Sequence, residues 1–225
     1  MLLAIRFKVE GSLRFLSHAE TVKVLQRACV RAGIRIQYSE GFNPRPRLSL
    51  PLPRPVGVES DDELLCLRVA RDPLPAGDAP DGRPAQSDQT RIKDALGRQL
   101  PEGCELLSVS AAEAGTAFAP RAATYVLTVR REYLGEELKA TIERLLASEH
   151  LPIRRPIDEA KTQFKNVDVR RFLKSITLEQ ASIMVECEIS PGGSVRVEEI
   201  LGLLGLDEAK LAAPIKRTNV RWQGD

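Results

Sequence analysis

Apolar residues alternate from the first positions of the chain. Leu3, Ile5, Phe7 and Val9 share one side and Arg6 and Lys8 the other, a period of two that predicts a half-buried strand over 2–9, broken at Gly11. The period then lengthens. Ser17-His18-Ala19-Glu20 has the spacing of a capping box, and Val22, Leu25, Cys29 and Ala32 form one stripe of a helix that Gly33 ends. Ile34 and Ile36 predict a short strand, Leu48, Leu50 and Leu52 an edge strand interrupted by Pro51 and Pro53, and residues 64–69 another strand. Residues 72–88, rich in Pro, Gly, Asp and Ala, read as an excursion. A helix over 91–99, a turn at Glu102-Gly103 and a strand over 104–109 complete the order strand, helix, strand, strand, helix, strand.

The second half repeats that order more loosely. A strand over 125–129 precedes a helix over 134–147 that carries Leu138, Ile142, Leu145 and Leu146. Strands are expected over 151–157 and 163–169, then a hairpin from 175–179 and 182–189. Ser194 is a candidate cap for a helix over 197–204, and 215–222 closes as a strand. The expected fold class is α+β: two tandem ferredoxin-like (βαββαβ) domains over 1–110 and 122–225, joined by an Ala/Gly-rich linker over 111–121.

Composition changes this picture in two places. The net charge of +2 conceals a basic N-terminal third, since residues 1–58 hold ten Lys/Arg against three Glu. Such a patch suits a polyanionic partner. Aromatic residues are 4% of the chain, which leaves few candidates for stacking on unpaired bases. The cysteines at 29, 66, 104 and 187 lie too far apart for a zinc or cluster motif, so no metal and no cofactor is expected. No apolar run reaches the ~18 residues of a membrane span. The first residues are broken by charge too early for a signal peptide, so no membrane partner and a cytoplasmic location are expected.

No phosphate-binding loop, dinucleotide-binding glycine motif or His-Glu-x-x-His pattern occurs. The dense polar stretch is Tyr38-Ser39-Glu40-Gly41-Phe42-Asn43-Pro44-Arg45-Pro46-Arg47, whose prolines favour an extended path. Arg45, Arg47 and Arg54 are the expected ligand contacts, because a guanidinium fork matches phosphate or carboxylate. If this stretch folds back over the first turn of the helix, Arg14, Ser17, His18, Tyr38 and Asn43 join it in one anion pocket, with free helix amides contributing. His18, at a helix start, is expected neutral and able to act as a general base, with Tyr38 and Glu40 as helpers; the alternative is a ring bonded to a nearby loop. Lys23 and Arg27 form either a phosphate-facing ridge or a solvated one. In the second half, residues 151–174 carry seven basic and three acidic side chains. The dense polar stretch there runs from Lys161 to Arg171; Asp168, Arg170 and, further on, Arg217 are substrate-binding candidates, with a surface ion pair as the alternative for Asp168-x-Arg170.

Three segments together carry a family resemblance: Arg14-Phe15-Leu16-Ser17-His18, the 38–46 stretch, and Gly57-Val58-Glu59-Ser60. They resemble the uncharacterised bacterial radical SAM-linked proteins, a domain of unknown function, and Val167-Asp168-Val169-Arg170 and Ile215-x-Arg217-Thr218 are similar to weaker motifs of that family. Ala19-Glu20 departs from the pattern, and the 72–88 insertion is atypical. The resemblance implies a radical S-adenosylmethionine protein as partner, often one with a cobalamin-binding region. The chain lacks a three-cysteine cluster motif and so is expected to be the companion rather than the radical enzyme.

Three functions are therefore expected in order. The first is a non-catalytic accessory protein that binds RNA or another phosphorylated substrate. The second is an RNA-cleaving enzyme using His18, by analogy of fold with the RNA-processing endonucleases of CRISPR systems. The third is an adaptor that receives a partner strand on the Pro-rich edge over 48–55.

Overall fold

The computed structural model describes residues 1–70, 72–74, 88–113, 115–157, 160 and 162–223. The chain divides into two compact units, Met1–Ala119 and Pro120–Asp225. Both are α+β, every strand pairing within them is antiparallel, and the described residues hold four α-helices. No described helix is long and apolar enough to cross a membrane.

In unit 1, β1 (Leu2–Val9) runs between β3 (Glu59–Arg68) and β4 (Cys104–Ala112), and β2 (Leu48–Ser49) pairs with the far end of β3. The strand order is β4-β1-β3-β2. A strand with neighbours on both sides is more buried than its alternation suggests: Leu2 and Ala4 are buried as well as Leu3, Ile5 and Phe7. Arg6 is kept polar by Asp62, 2.7 Å away on β3.

Helix α1 (His18–Arg31) starts with the expected capping box. Ser17 Oγ accepts from the Glu20 amide at 3.3 Å, and the Glu20 carboxylate accepts from the Ser17 amide at 2.9 Å. It ends at Ala32 with Gly33 at φ +70°, the left-handed conformation that glycine adopts without penalty. Leu25, Ala28 and Cys29 of α1, with Ile92 and Leu96 of α2 (Asp88–Gly97), pack on Leu3, Ile5, Phe7, Leu65 and Leu67. Each large side chain buried in this way stabilises the unit by about 1.5–3 kcal/mol. The turn into β4 requires Gly103: φ is +83°, and a Cβ there would lie 2.6 Å from the Glu10 carbonyl oxygen.

Several expectations are corrected in this unit. The strand at 34–36 reduces to one bridge, Ile36 to Val69, and the edge strand over 48–52 to two residues, because Pro51 and Pro53 have no amide to donate. Strand β3 begins five residues before the apolar run that suggested it, and its acidic start (Glu59, Asp61, Asp62, Glu63) hid it. Residues 75–87 of the expected excursion lie outside the described residues.

In unit 2 the strand order is β10-β5-β9-β8, from β5 (Pro120–Thr128), β8 (Leu173–Glu179), β9 (Ser182–Glu188) and β10 (Lys216–Trp222). Strands β4 and β5 extend into the 111–121 segment expected as a linker. Helix α3 (Glu136–Ala147) buries Leu138, Ile142 and Leu145, and α4 (Val197–Leu203) buries Val197, Ile200 and Leu201. Residue Arg196, not Ser194, precedes α4 as its cap, with its amide donating to Glu199 at 2.7 Å. Between α3 and β8 the chain makes a separate two-stranded ribbon, β6 (Pro152–Pro156) with β7 (Phe164–Asp168).

Candidate functional site

The 38–47 stretch folds as a narrow hook on itself. The Ser39 amide donates to the Arg45 carbonyl at 2.8 Å, the Arg47 amide to the Gln37 carbonyl at 2.7 Å, and Tyr38 bridges Pro46. Gly41, at φ +118°, turns the tip, where Phe42 and Asn43 are exposed. The base of the hook is tied to the end of β3: the Gln37 amide donates to the Arg68 carbonyl and the Arg68 amide to the Arg47 carbonyl, at 2.8 and 2.9 Å.

That attachment overturns the expected pocket at the helix mouth. The hook lies where β3 ends and β1 starts, whereas α1 begins after β1 ends, beside the start of β3. Ten residues of strand, about 30 Å, separate the two ends of β3. Tyr38, Glu40, Asn43, Arg45 and Arg47 are therefore together, and Arg14, Ser17 and His18 are at the other end of the strands.

Beside the hook is a cleft of about 420 Å3. Its polar side chains are Arg47, Ser49, Cys66, Arg68 and Thr116, its apolar walls include Leu48, Pro51 and Phe118, and no carboxylate lines it among the described residues. The register explains why these residues meet. Leu48 pairs with Leu67 and Ser49 with Cys66, so Arg47 stands opposite Arg68 on the same face of the ladder. Leu67 points the other way, into the core under α1. Like charges directly opposite in a sheet repel, and neither guanidinium has a hydrogen bond or ion pair among the described residues. Guanidinium forks are suited to share an anion, whose charge would offset such repulsion. Burial pushes the Cys66 thiol up to about 11, against a smaller opposing effect of its hydrogen bond with Ser49, so it is no nucleophile near neutral pH. Arg68 was not a sequence candidate; pairing the 48–52 alternation with the 64–69 strand is the signal that would have found it.

The remaining candidates in unit 1 separate into structural and solvated groups. Arg54, expected at the ligand, is buried and donates to the carbonyls of Leu13, Arg14, Leu16, Pro55 and Val58. Arg14 donates to the Gly11 carbonyl at 2.9 Å, faces Glu59 at 3.8 Å and lies over the Phe15 ring. The Ser17 hydroxyl is held by Glu20 at 2.7 Å. His18 is exposed, with no hydrogen bond or ion pair among the described residues. Lys23 and Arg27 are exposed on α1. No group of three or more His, Cys, Asp or Glu among the described residues is arranged to hold a metal.

In unit 2, Asp168 and Arg170 are staples rather than an ion pair or a ligand site. Asp168 accepts from the Leu151 and Arg170 amides at 2.9 and 3.0 Å and sits 2.6 Å from His150 Nδ1. Arg170 donates to the carbonyls of Leu146, Ser148 and Leu173 at 2.8–3.0 Å, closing the end of α3. Arg217 is 1% exposed, so it is closed to a ligand arriving from solvent. Lys161 lies outside the described residues.

The Leu151 amide, then His150 and the Arg170 amide, hold the Asp168 carboxyl down at about 2. Its folded pKa lies below the unfolded value of about 3.9. The stability it contributes is thus complete above about pH 4 and lost as pH falls through about 2. Urea midpoints of the wild type and Asp168→Asn should differ above about pH 4, and the gap should narrow as pH falls from about 4 through about 2. A gap that persists unchanged to the lowest pH at which the protein folds would contradict this role.

Residues 3–198 match a family model described as "Uncharacterized protein conserved in bacteria (DUF2344)". No curated protein matches the sequence.

Proposed function

We propose that this chain, which belongs to the family of uncharacterized proteins conserved in bacteria (DUF2344), is a non-catalytic accessory protein that binds RNA for a partner enzyme. The observation that carries the proposal is Arg47 set opposite Arg68 in a cleft that no carboxylate lines among the described residues. A phosphate is the group that such a pair is built to accept. The hook adds exposed Tyr38, Phe42 and Arg45 next to the cleft, flat groups on which an unpaired base can stack. Half of the ten aromatic residues are exposed, Phe15, Tyr38, Phe42, Tyr133 and Phe164, so the low aromatic content is offset by where these residues lie.

A radical SAM protein is the partner we propose, on the resemblance of the 14–18, 38–46 and 57–60 segments, and the cytoplasm is the compartment. We read each unit as a ferredoxin-like domain, which the orders β4-β1-β3-β2 and β10-β5-β9-β8 support. The distance of His18 from Tyr38 and the hook arginines favours binding over cleavage. A two-residue β2 flanked by prolines offers little backbone to an incoming strand, which disfavours the adaptor.

Filter binding of the full chain to total bacterial RNA at about 50 mM salt, where the electrostatic contribution is strong, tests the proposal. Saturable binding that weakens as salt rises, with RNA recovered intact, is expected. No binding under those conditions ends it, and cleavage lost in His18→Ala replaces it with the enzyme reading.

A further inference from the structure

The ribbon of β6 and β7 stands outside the main sheet of unit 2 and has two unlike faces. Strand alternation puts Ile153, Arg155, Lys165 and Val167 on one and Arg154, Phe164, Asn166 and, at the base where it is held by His150 and two amides, Asp168 on the other. The first face is anchored. Arg155 forks onto both carboxylate oxygens of Glu199 on α4, each at 2.8 Å, and reaches the Ser194 carbonyl at 3.0 Å. At the base of the ribbon, Asp168 and Arg170 fix it to the end of α3. The second face carries a cation stacked on an aromatic ring, with the Arg154 guanidinium carbon 4.6 Å from the Phe164 ring centroid. Asn166 pairs directly across from Arg154. All three side chains are exposed.

We propose that this outer face is a second nucleic-acid contact, which takes an unpaired base of single-stranded RNA by stacking. Both a phenyl ring and a guanidinium plane accept a base face, and only an unpaired base has a free face to offer. The Asn166 amide both donates and accepts, which suits a base edge beside the stack. Charge agrees with the occupant: residues 151–174 hold seven basic and three acidic side chains. The anchoring of the opposite face means that little ordering entropy is lost on binding. Asp168 and Arg170 serve this site only by positioning the ribbon. The proposal shares RNA as ligand with the reading above but rests on a different surface, and the variants separate the two.

The test is fluorescence anisotropy of the full chain with a labelled oligouridine of about 12 nucleotides, and with an abasic strand of the same length. Phe164→Leu keeps apolar bulk and removes the ring; it should weaken oligouridine binding about tenfold, with abasic binding unchanged. Arg154→Gln should weaken both probes, because it also removes a charge. Phe164 is 42% exposed and belongs to neither buried core, so its variant should melt within a few degrees of the wild type. Phe164→Leu binding within twofold of wild type overturns the proposal, as does equal loss on the abasic strand. If the Arg47→Ala/Arg68→Ala pair abolishes binding while Phe164→Leu changes nothing, the cleft stands and the ribbon falls. The reverse pattern keeps the ribbon and removes the cleft, and a wild type that binds neither probe removes both.

Discussion

Arg54→Ala is expected to destabilise unit 1 by about 3 kcal/mol and to lower its melting temperature by about 10 °C. The side chain is 7% exposed, and its two terminal nitrogens donate to five carbonyls. Arg14 and Val58 accept at 2.7 and 2.5 Å and Leu13 at 3.0 Å, so one planar group joins the turn before α1 to the turn before β3. Truncation leaves these carbonyls short of donors, and each buried polar group left unpaired costs about 1–3 kcal/mol. Lysine should recover less than half of the loss, because an ammonium is a single point and cannot span both turns. Chemical denaturation of the two variants measures this directly. A change below about 1 kcal/mol for Arg54→Ala would mean that water replaces the guanidinium, and the clamp would not be structural. RNA affinity of the folded variant should be unaffected, opposite to what a ligand-contacting arginine gives.

Arg47→Ala/Arg68→Ala should have the reverse profile. Affinity for single-stranded RNA is expected to fall about tenfold or more at low salt, with stability unchanged or slightly raised, since the substitution removes two like charges facing each other. For single strands each phosphate contact contributes about −0.7 to the slope of log K against log salt, so the double variant should be shallower by about 1.4. The affinities of wild type and variant should converge as salt rises. Lys23→Ala/Arg27→Ala is the comparison: if that pair carries the change in slope, phosphates lie along α1 and not in the cleft. A double variant that loses stability as well as affinity would indicate that Arg47 and Arg68 are framework residues.

The elements legible in the sequence are those defined by neighbours a few positions away. The capping box at Ser17 and Glu20 and the glycine at 33 fixed α1 to within a residue, and apolar alternation found β1, the β8–β9 hairpin and the strand at 104. The elements misjudged are those whose strand character comes from their partners. Glu59 to Glu63 form the start of β3 because β1 is beside them, with Asp62 answering Arg6, and the acidic run carries no apolar signal. Leu50 and Leu52 alternate correctly, yet Pro51 and Pro53 beside them keep the ladder from running past Ser49.

Among the site residues the same division holds. That residues 38–47 form a stiff, exposed, arginine-bearing turn was fixed by their own prolines and glycine, and that α1 opens with a satisfied cap was fixed by Ser17 and Glu20. Which arginines stand open to solvent and which are tied to the framework was decided only by tertiary structure. Arg54 and Arg47 are chemically the same; one sits where five carbonyls converge, and the other faces Arg68 across a ladder, in a cleft with no acid among its described lining residues. Capping and periodicity are interactions within about four residues of the chain, so the sequence carries them whole. The surroundings of a charge are set by strands some twenty residues apart, and these acquire a register only when the sheet closes.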